Sequence, residues 1–230
     1  MNILNEILLL IFPQKCIYCG KIVSKTVYSC NECNEELPLI KGEICQKCGA
    51  QIQRCSCDNK KVLFVRNIAP AYYEDAMKKA IKQFKFKGCK HFAVPFAKLM
   101  AKTFEKEYSD IKFDYITAVP MYPKRERTRG YNQAVLLAKE LSDITGIALK
   151  SDLLTKYRDN NVQHRLDAKE RADNVKDVYS ANKKALNKTI LLVDDICTTS
   201  STLNACTAEL LKQGAKQVYC ITIAIVINSK

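Results

Sequence analysis

The sequence predicts an α/β domain built on a parallel sheet flanked by helices, preceded by a small cysteine-rich zinc-ribbon domain. Three observations predict it. Strand-like and helix-like segments alternate through the C-terminal half, the pattern of a helix-covered parallel sheet. Ile190-Leu191-Leu192-Val193 forms a continuous apolar run, which suits a central strand buried on both faces. Eight of the twelve cysteines fall within the first 57 residues, in closely spaced pairs. The expected boundaries are residues 1–60 for the zinc module and 61–230 for the sheet domain.

The chain has 230 residues, of which 47% are hydrophobic, so it can bury a core and disorder is not the default. The formal net charge of +13 points to an anionic partner: phosphate-rich metabolites, nucleic acid or a membrane surface. The apolar run Ile7–Phe12 is too short to span a bilayer. It lacks the basic start and small-residue cleavage site of a signal peptide, and reads as a short amphipathic helix. No other stretch approaches 18 apolar residues, so the expectation is a cytoplasmic chain with reduced thiols and no membrane span.

The cysteine pairs are Cys16–Cys19, Cys30–Cys33, Cys45–Cys48 and Cys55–Cys57. A C-x-x-C turn aims two thiolates at one metal, and two such turns complete a tetrahedron. Gly20 and Gly49 follow the first and third pairs, where the chain curls past the metal and a positive φ is useful. Two structural zinc sites are therefore expected, at Cys16/Cys19/Cys30/Cys33 and Cys45/Cys48/Cys55/Cys57. Four thiolates leave no open coordination position. A crossed pairing, an iron–sulfur cluster and disulfides are the alternatives.

Further along, one or two short strands are expected near Val62–Tyr73 and a helix over Glu74–Phe86, with apolar residues at helical spacing. A second helix is predicted from His91 to Tyr108, with Pro95 in its first turn. Asp114–Val119 reads as a buried strand. Asn132–Ile144 reads as a helix closed by Gly146. A capping-box-like Asp167–Glu170 starts a short helix through Asn174. Thr189–Val193 is the strongest strand, Ser201–Gln213 a helix followed by Gly214, and Gln217–Val226 the last strand.

The chemistry concentrates in Ile190–Thr202. A buried strand delivers Asp194 and Asp195, then Ile196, Cys197 and five hydroxylated residues, Thr198, Thr199, Ser200, Ser201 and Thr202, and a helix begins at once. Hydroxyls and free N–H groups at a helix N-terminus favour an anion. In an open α/β sheet, ligands bind at the carboxyl ends of the strands. Two acids beside a phosphate pocket make sense if the ligand offers sugar hydroxyls, Mg²⁺, or both.

This run resembles the phosphoribosyl pyrophosphate motif of type I phosphoribosyltransferases, with Ser200 where that family usually has Gly. A second segment, Val119–Ala134, carries four basic residues against one acid. It closely resembles the "VP…R…RG(F/Y)NQA" stretch of the ComF competence proteins. Phe84-Lys85-Phe86-Lys87-Gly88 resembles that family's "KF-x-G" helix end. Arg158, Gln163, Arg171, Asn174 and Val175 fit its "R…Q…R…NV" stretch, and Phe12-Pro13-x-x-Cys16 its entry.

The resemblance covers essentially the whole chain and implies a type I phosphoribosyltransferase-like fold. It implies that Asp194 and Asp195 hold ribose hydroxyls and organise Mg²⁺, and that Ile196–Thr202 hold the 5′-phosphate. Lys124, Arg125 and Arg129 are then candidates to meet pyrophosphate, with Arg158 and Arg171 in a lid. It further implies a role in DNA uptake through single-stranded DNA and competence proteins, consistent with aromatic Phe84, Phe86, Tyr122 and Tyr131 interleaved with Lys and Arg. An active phosphoribosyltransferase with another acceptor and a zinc-ribbon adaptor with a vestigial domain are the competing functions. His91 and His164 lie in no catalytic pairing.

Overall fold

A computed structural model describes residues 13–55, 57, 62–158 and 178–227. The expected helices at Ile7–Phe12 and Asp167–Asn174, and residues Gln163, His164, Arg171 and Val175, lie outside the described residues.

In the N-terminal module, each of two turns repeats one backbone pattern. Cys16 N–H donates to the carbonyl of Lys21 and Gly20 N–H to that of Cys16, at 2.8 and 2.9 Å. Cys45 N–H donates to Ala50 and Gly49 N–H to Cys45, at 2.7 and 3.0 Å. Both glycines take the expected positive φ, +80° and +76°. A short helix, α1 (Asn31–Glu36), carries Cys33 inward.

The sheet domain starts with two short strands, β1 (Asn67–Ile68) and β2 (Ala71–Tyr72), interrupted by Pro70. Next come helices α2 (Asp75–Phe86) and α3 (Ala93–Tyr108), the latter with Pro95 in its first turn. They are followed by strand β3 (Tyr115–Ala118), the short helix α4 (Pro123–Arg129) and α5 (Gln133–Thr145). The antiparallel pair β4 (Leu154–Lys156) and β5 (Tyr179–Ala181) precedes β6 (Thr189–Cys197), α6 (Ser201–Lys212) and β7 (Gln217–Ile225).

The main sheet is parallel throughout: β1 and β2 pair with β7, β7 with β6, and β6 with β3. Ile190–Val193 are all fully buried, as their continuous apolar run demands. Helices α3 and α5 pack on each other and on the sheet, and α6 packs against β5, β6 and β7. Parallel register brings Ala118 beside Val193 and Cys197 beside Ile225. The segments after β3 and β6 therefore emerge together at the carboxyl edge of the sheet.

The zinc module docks along the β1–β2 edge. The carbonyl of Lys47 accepts from Asn67 N–H at 2.8 Å, that of Pro38 from Tyr72 N–H at 2.8 Å, and Pro70 accepts from Ile40 N–H at 2.9 Å. Arg54 lies 3.9 Å over the Tyr72 ring and pairs with Glu74 at 2.6 Å. The module thus completes hydrogen bonds that an edge strand would otherwise leave open. No helix among the described residues is long and apolar enough to cross a membrane.

Candidate phosphoribosyl and zinc sites

The two cysteine quartets form separately and uncrossed, each with its four sulfurs within 4.8 Å of one another. A tetrahedral zinc with bonds near 2.3 Å requires sulfur separations of about 3.8 Å. The distances Cys19–Cys30 at 3.7 Å, Cys48–Cys55 at 3.6 Å and Cys45–Cys57 at 3.5 Å fit that cage. All are free thiols, so the disulfide alternative does not describe this structure.

At the sheet's carboxyl edge, β6 continues four residues past Val193 and carries both acids, which are partly buried. Asp195 N–H donates to Asp194 Oδ1 at 2.8 Å. Burial, and then the Asp195 carboxylate beside it, push Asp194 up to about 7, while Lys85 and Lys156 pull the other way. Lys85, from the last turn of α2, places its Nζ 2.8 Å from Asp195 Oδ1. Lys156 of β4 lies 5.0 Å over the Tyr179 ring.

Beyond Cys197 the chain turns sharply. Thr198, Thr199, Ser201 and Thr202 are exposed, and the Thr199 and Ser201 hydroxyls lie 2.8 Å apart. Ser200 precedes α6 in the left-handed conformation, with φ +63° and ψ 1°, and its side chain makes no cap hydrogen bond. The first-turn N–H groups of α6 therefore receive no cap from Ser200, and uncapped N–H groups at a helix start favour an anion. A left-handed φ explains why glycine suits this position. Serine carries strain of about 1–2 kcal/mol there, offset in part by the greater chain entropy glycine loses on folding. Ser200→Gly is expected to raise the melting temperature by about 1–4 °C, read by thermal denaturation without ligand.

The Val119–Ala134 segment lies alongside. Val119 N–H donates to Val193 carbonyl at 2.9 Å, and Asn132 Nδ2 donates to Val119 carbonyl at 3.0 Å. Asn132 Oδ1 in turn caps α5 by accepting from Ala134 N–H. Lys124 and Arg125 lie on α4, Lys124 exposed and Arg125 partly buried. Arg129 donates to Gln133 Oε1 at 2.9 Å and stacks 5.0 Å over Phe86. Arg158 is exposed after β4, and Arg171 lies outside the described residues. Of the four aromatics read as interleaved with basic residues, Phe84 and Tyr131 belong to the core, Tyr122 is partly buried, and Phe86 stands 70% exposed.

Sequence reasoning did not single out Lys85 or Lys156 as site residues. Lys85 does stand inside the quoted Phe84–Gly88 motif. Nothing local distinguishes it from the lysines around it, because the helix end that carries it is held through backbone carbonyls by Tyr131 and Gln133.

With this geometry in place, comparisons with known proteins define the class. Residues 7–61 match the model of the double zinc ribbon domain, and residues 62–230 match that of the phosphoribosyl transferase domain. The chain is 30% identical to competence protein ComFC of Bacillus subtilis over 195 residues, covering 80% of this chain and 78% of that one. It is 27% identical to competence protein F of Haemophilus influenzae, covering 90% and 95% of the two chains. It is 28% identical to the DNA utilization protein YhgH of Salmonella typhi, covering 90% and 88%. The chain belongs to the ComF family, with a phosphoribosyl transferase domain behind a double zinc ribbon. Among solved structures it is similar to an adenine phosphoribosyltransferase, with TM-score 0.39, 16% identity and coverage of 65% and 76%.

Proposed function

We propose that this chain binds the magnesium complex of phosphoribosyl pyrophosphate at Asp194–Thr202 and serves DNA uptake by handling single-stranded DNA. The observation that carries the first part is the acid pair at the carboxyl end of β6, followed by a left-handed turn and the open N-terminus of α6. Asp194 and Asp195 accept from the ribose hydroxyls and help hold Mg²⁺. The exposed Thr198, Thr199, Ser201 and Thr202, with their backbone N–H groups, hold the 5′-phosphate. The residues fit the cation: paired carboxylate oxygens suit a hard ion, and the Lys85 ammonium already occupies Asp195 as a stand-in charge. Bound Mg²⁺ would supply neutralisation of pyrophosphate. The chain's own part is to position the sugar and shield the acids from water.

For the second part, the relatives' names concern competence and DNA utilization, and one surface supports the reading. Phe86 is exposed beside Arg129, with Lys82, Lys87, Lys124 and Arg127 also exposed on α2, its C-terminal end and α4. A bare ring amid cations suits base stacking along a phosphate backbone.

The test is a melting curve of the zinc-loaded chain with millimolar Mg²⁺ and phosphoribosyl pyrophosphate. Ligand at 100 times its Kd adds about 2.7 kcal/mol, a shift of roughly 5–10 °C for a chain this size. No shift at millimolar ligand rejects the site. For the DNA part, labelled oligothymidylate should bind with affinity falling steeply with salt. Phe86→Ala should weaken it by about 1–3 kcal/mol. Salt-independent binding, or none, rejects that part.

A further inference from the structure

We propose that Lys85 is a ligand-exchange residue: it neutralises Asp195 in the empty site, then turns to the phosphates when ligand takes that carboxylate. The proposal rests on the reading of Asp194–Thr202 as the phosphoribosyl pyrophosphate site.

Lys85 Nζ lies 2.8 Å from Asp195 Oδ1, and the two side chains are only 21% and 13% exposed. This differs from the chain's exposed ion pairs, such as Lys184–Asp152 at 61% and 56%, whose charges stay hydrated either way. An ammonium withdrawn this far from water needs an anion at all times. Ribose hydroxyls and a cation must approach the same carboxylate, so ligand entry competes with the Lys85–Asp195 pair at Oδ1. A polyanionic ligand resolves the conflict by bringing the replacement partner with it. Lysine suits such a swap, being a point charge on a flexible stem with three rotatable donors.

The placement of Lys85 is built by distant residues. The Tyr131 hydroxyl donates to the carbonyl of Phe84, at the end of α2. Gln133 Nε2 reaches the carbonyls of Phe84 and Lys85, both at 3.5 Å. Gln133 is itself 1% exposed and held by Arg129. Buried polar side chains thus satisfy the last carbonyls of α2, which would otherwise have no partner in the helix. The Tyr131–Gln133 motif therefore fixes the direction from which Lys85 enters the acid pair.

The experiment uses the full zinc-loaded chain with Lys85→Met and Lys85→Arg. Mn²⁺ alone, followed by electron paramagnetic resonance, should bind Lys85→Met several-fold more tightly than the parent, because the competing ammonium is gone. Mg–phosphoribosyl pyrophosphate, followed by calorimetry, should bind Lys85→Met about 10-fold more weakly, since a charge-assisted contact to phosphate is lost. Lys85→Arg should stay within about 3-fold of the parent for that ligand, because its charge can still meet phosphate. Two results overturn the exchange: unchanged Mn²⁺ affinity in Lys85→Met, or equal loss of ligand binding in both variants with a lowered ligand-free melting point. If the parent binds the ligand and Lys85→Met binds it equally, the role of Lys85 fails while the site stands. If the parent does not bind it, the site itself fails.

Discussion

A chain carrying Asp194→Asn is expected to melt higher than the parent at pH 8 and to lose nearly all stabilisation by magnesium phosphoribosyl pyrophosphate. The two effects oppose each other because the acid pair is costly to the fold and, in the proposed site, holds the ligand. Burial and Asp195 raise Asp194 to about 7, against an unfolded value near 3.9. A carboxyl raised on folding contributes stability that is complete below the unfolded value and is lost as pH rises through the folded one. The parent should therefore lose stability between about pH 4 and about pH 7 that Asp194→Asn retains. The gain at pH 8 should be roughly 1–3 kcal/mol, below what the full shift implies, because the amide is a weaker partner for the Asp195 N–H. Below pH 4 the two curves should converge. Ligand binding moves the other way, since the amide neither attracts a cation nor accepts from the ribose diol as strongly. Equal melting of the two chains at pH 8 would remove the electrostatic account of the pair. Undiminished ligand stabilisation would remove Asp194 from the site.

How far this architecture is legible in the sequence depends on the range of the forces involved. The run Ile190–Val193 announces a two-sided buried strand because its side chains alone determine that outcome, and the strand follows. The cysteine spacings announce two tetrahedra because one metal constrains residues close in sequence. Asn132 and Gly146 bracket α5 by local capping, as their types suggest. Helix α4 carries ordinary start and stop signals, Pro123 in its first turn and Gly130 at its end, with φ +83°. The pair β4–β5 was not readable, since three residues per strand give too little alternation to register. Strands β1 and β2 are two residues each because the zinc module and Pro70 shape that edge. Lys85 marks the limit of local reading. Its role depends on a helix end held by a segment more than 40 residues later.

Loss of zinc from the second quartet should damage the chain far more than loss from the first. The reason is where each quartet touches the sheet. Next to Cys48, Gly49 packs on Asn67 so closely that an added Cβ would lie 2.6 Å from the Asn67 carbonyl oxygen. Asn67 Nδ2 donates to the Cys48 carbonyl, and Asn67 N–H to that of Lys47. Cys48 and Cys57 also share the lining of a small cavity with Cys197, Thr198 and Ser200 of the turn before α6. The first quartet includes the exposed Cys19, and none of its cysteines lines that cavity. Structural zinc contributes roughly 10–16 kcal/mol of binding in zinc-finger peptides, so even partial coupling exceeds what a marginal domain can lose. Cys48→Ser is therefore expected to lower the melting temperature by about 10 °C or more and to abolish ligand stabilisation. Cys19→Ser should leave the sheet domain's transition within a few degrees and ligand stabilisation intact. Gly49→Ala offers the control that keeps all four thiolates. It should destabilise by about 2–4 kcal/mol through the Asn67 clash and its left-handed φ, while zinc content by metal analysis stays at the parent's level. Equal behaviour of Cys48→Ser and Cys19→Ser would mean that the second quartet braces only itself, and that the turn before α6 is organised by the sheet alone.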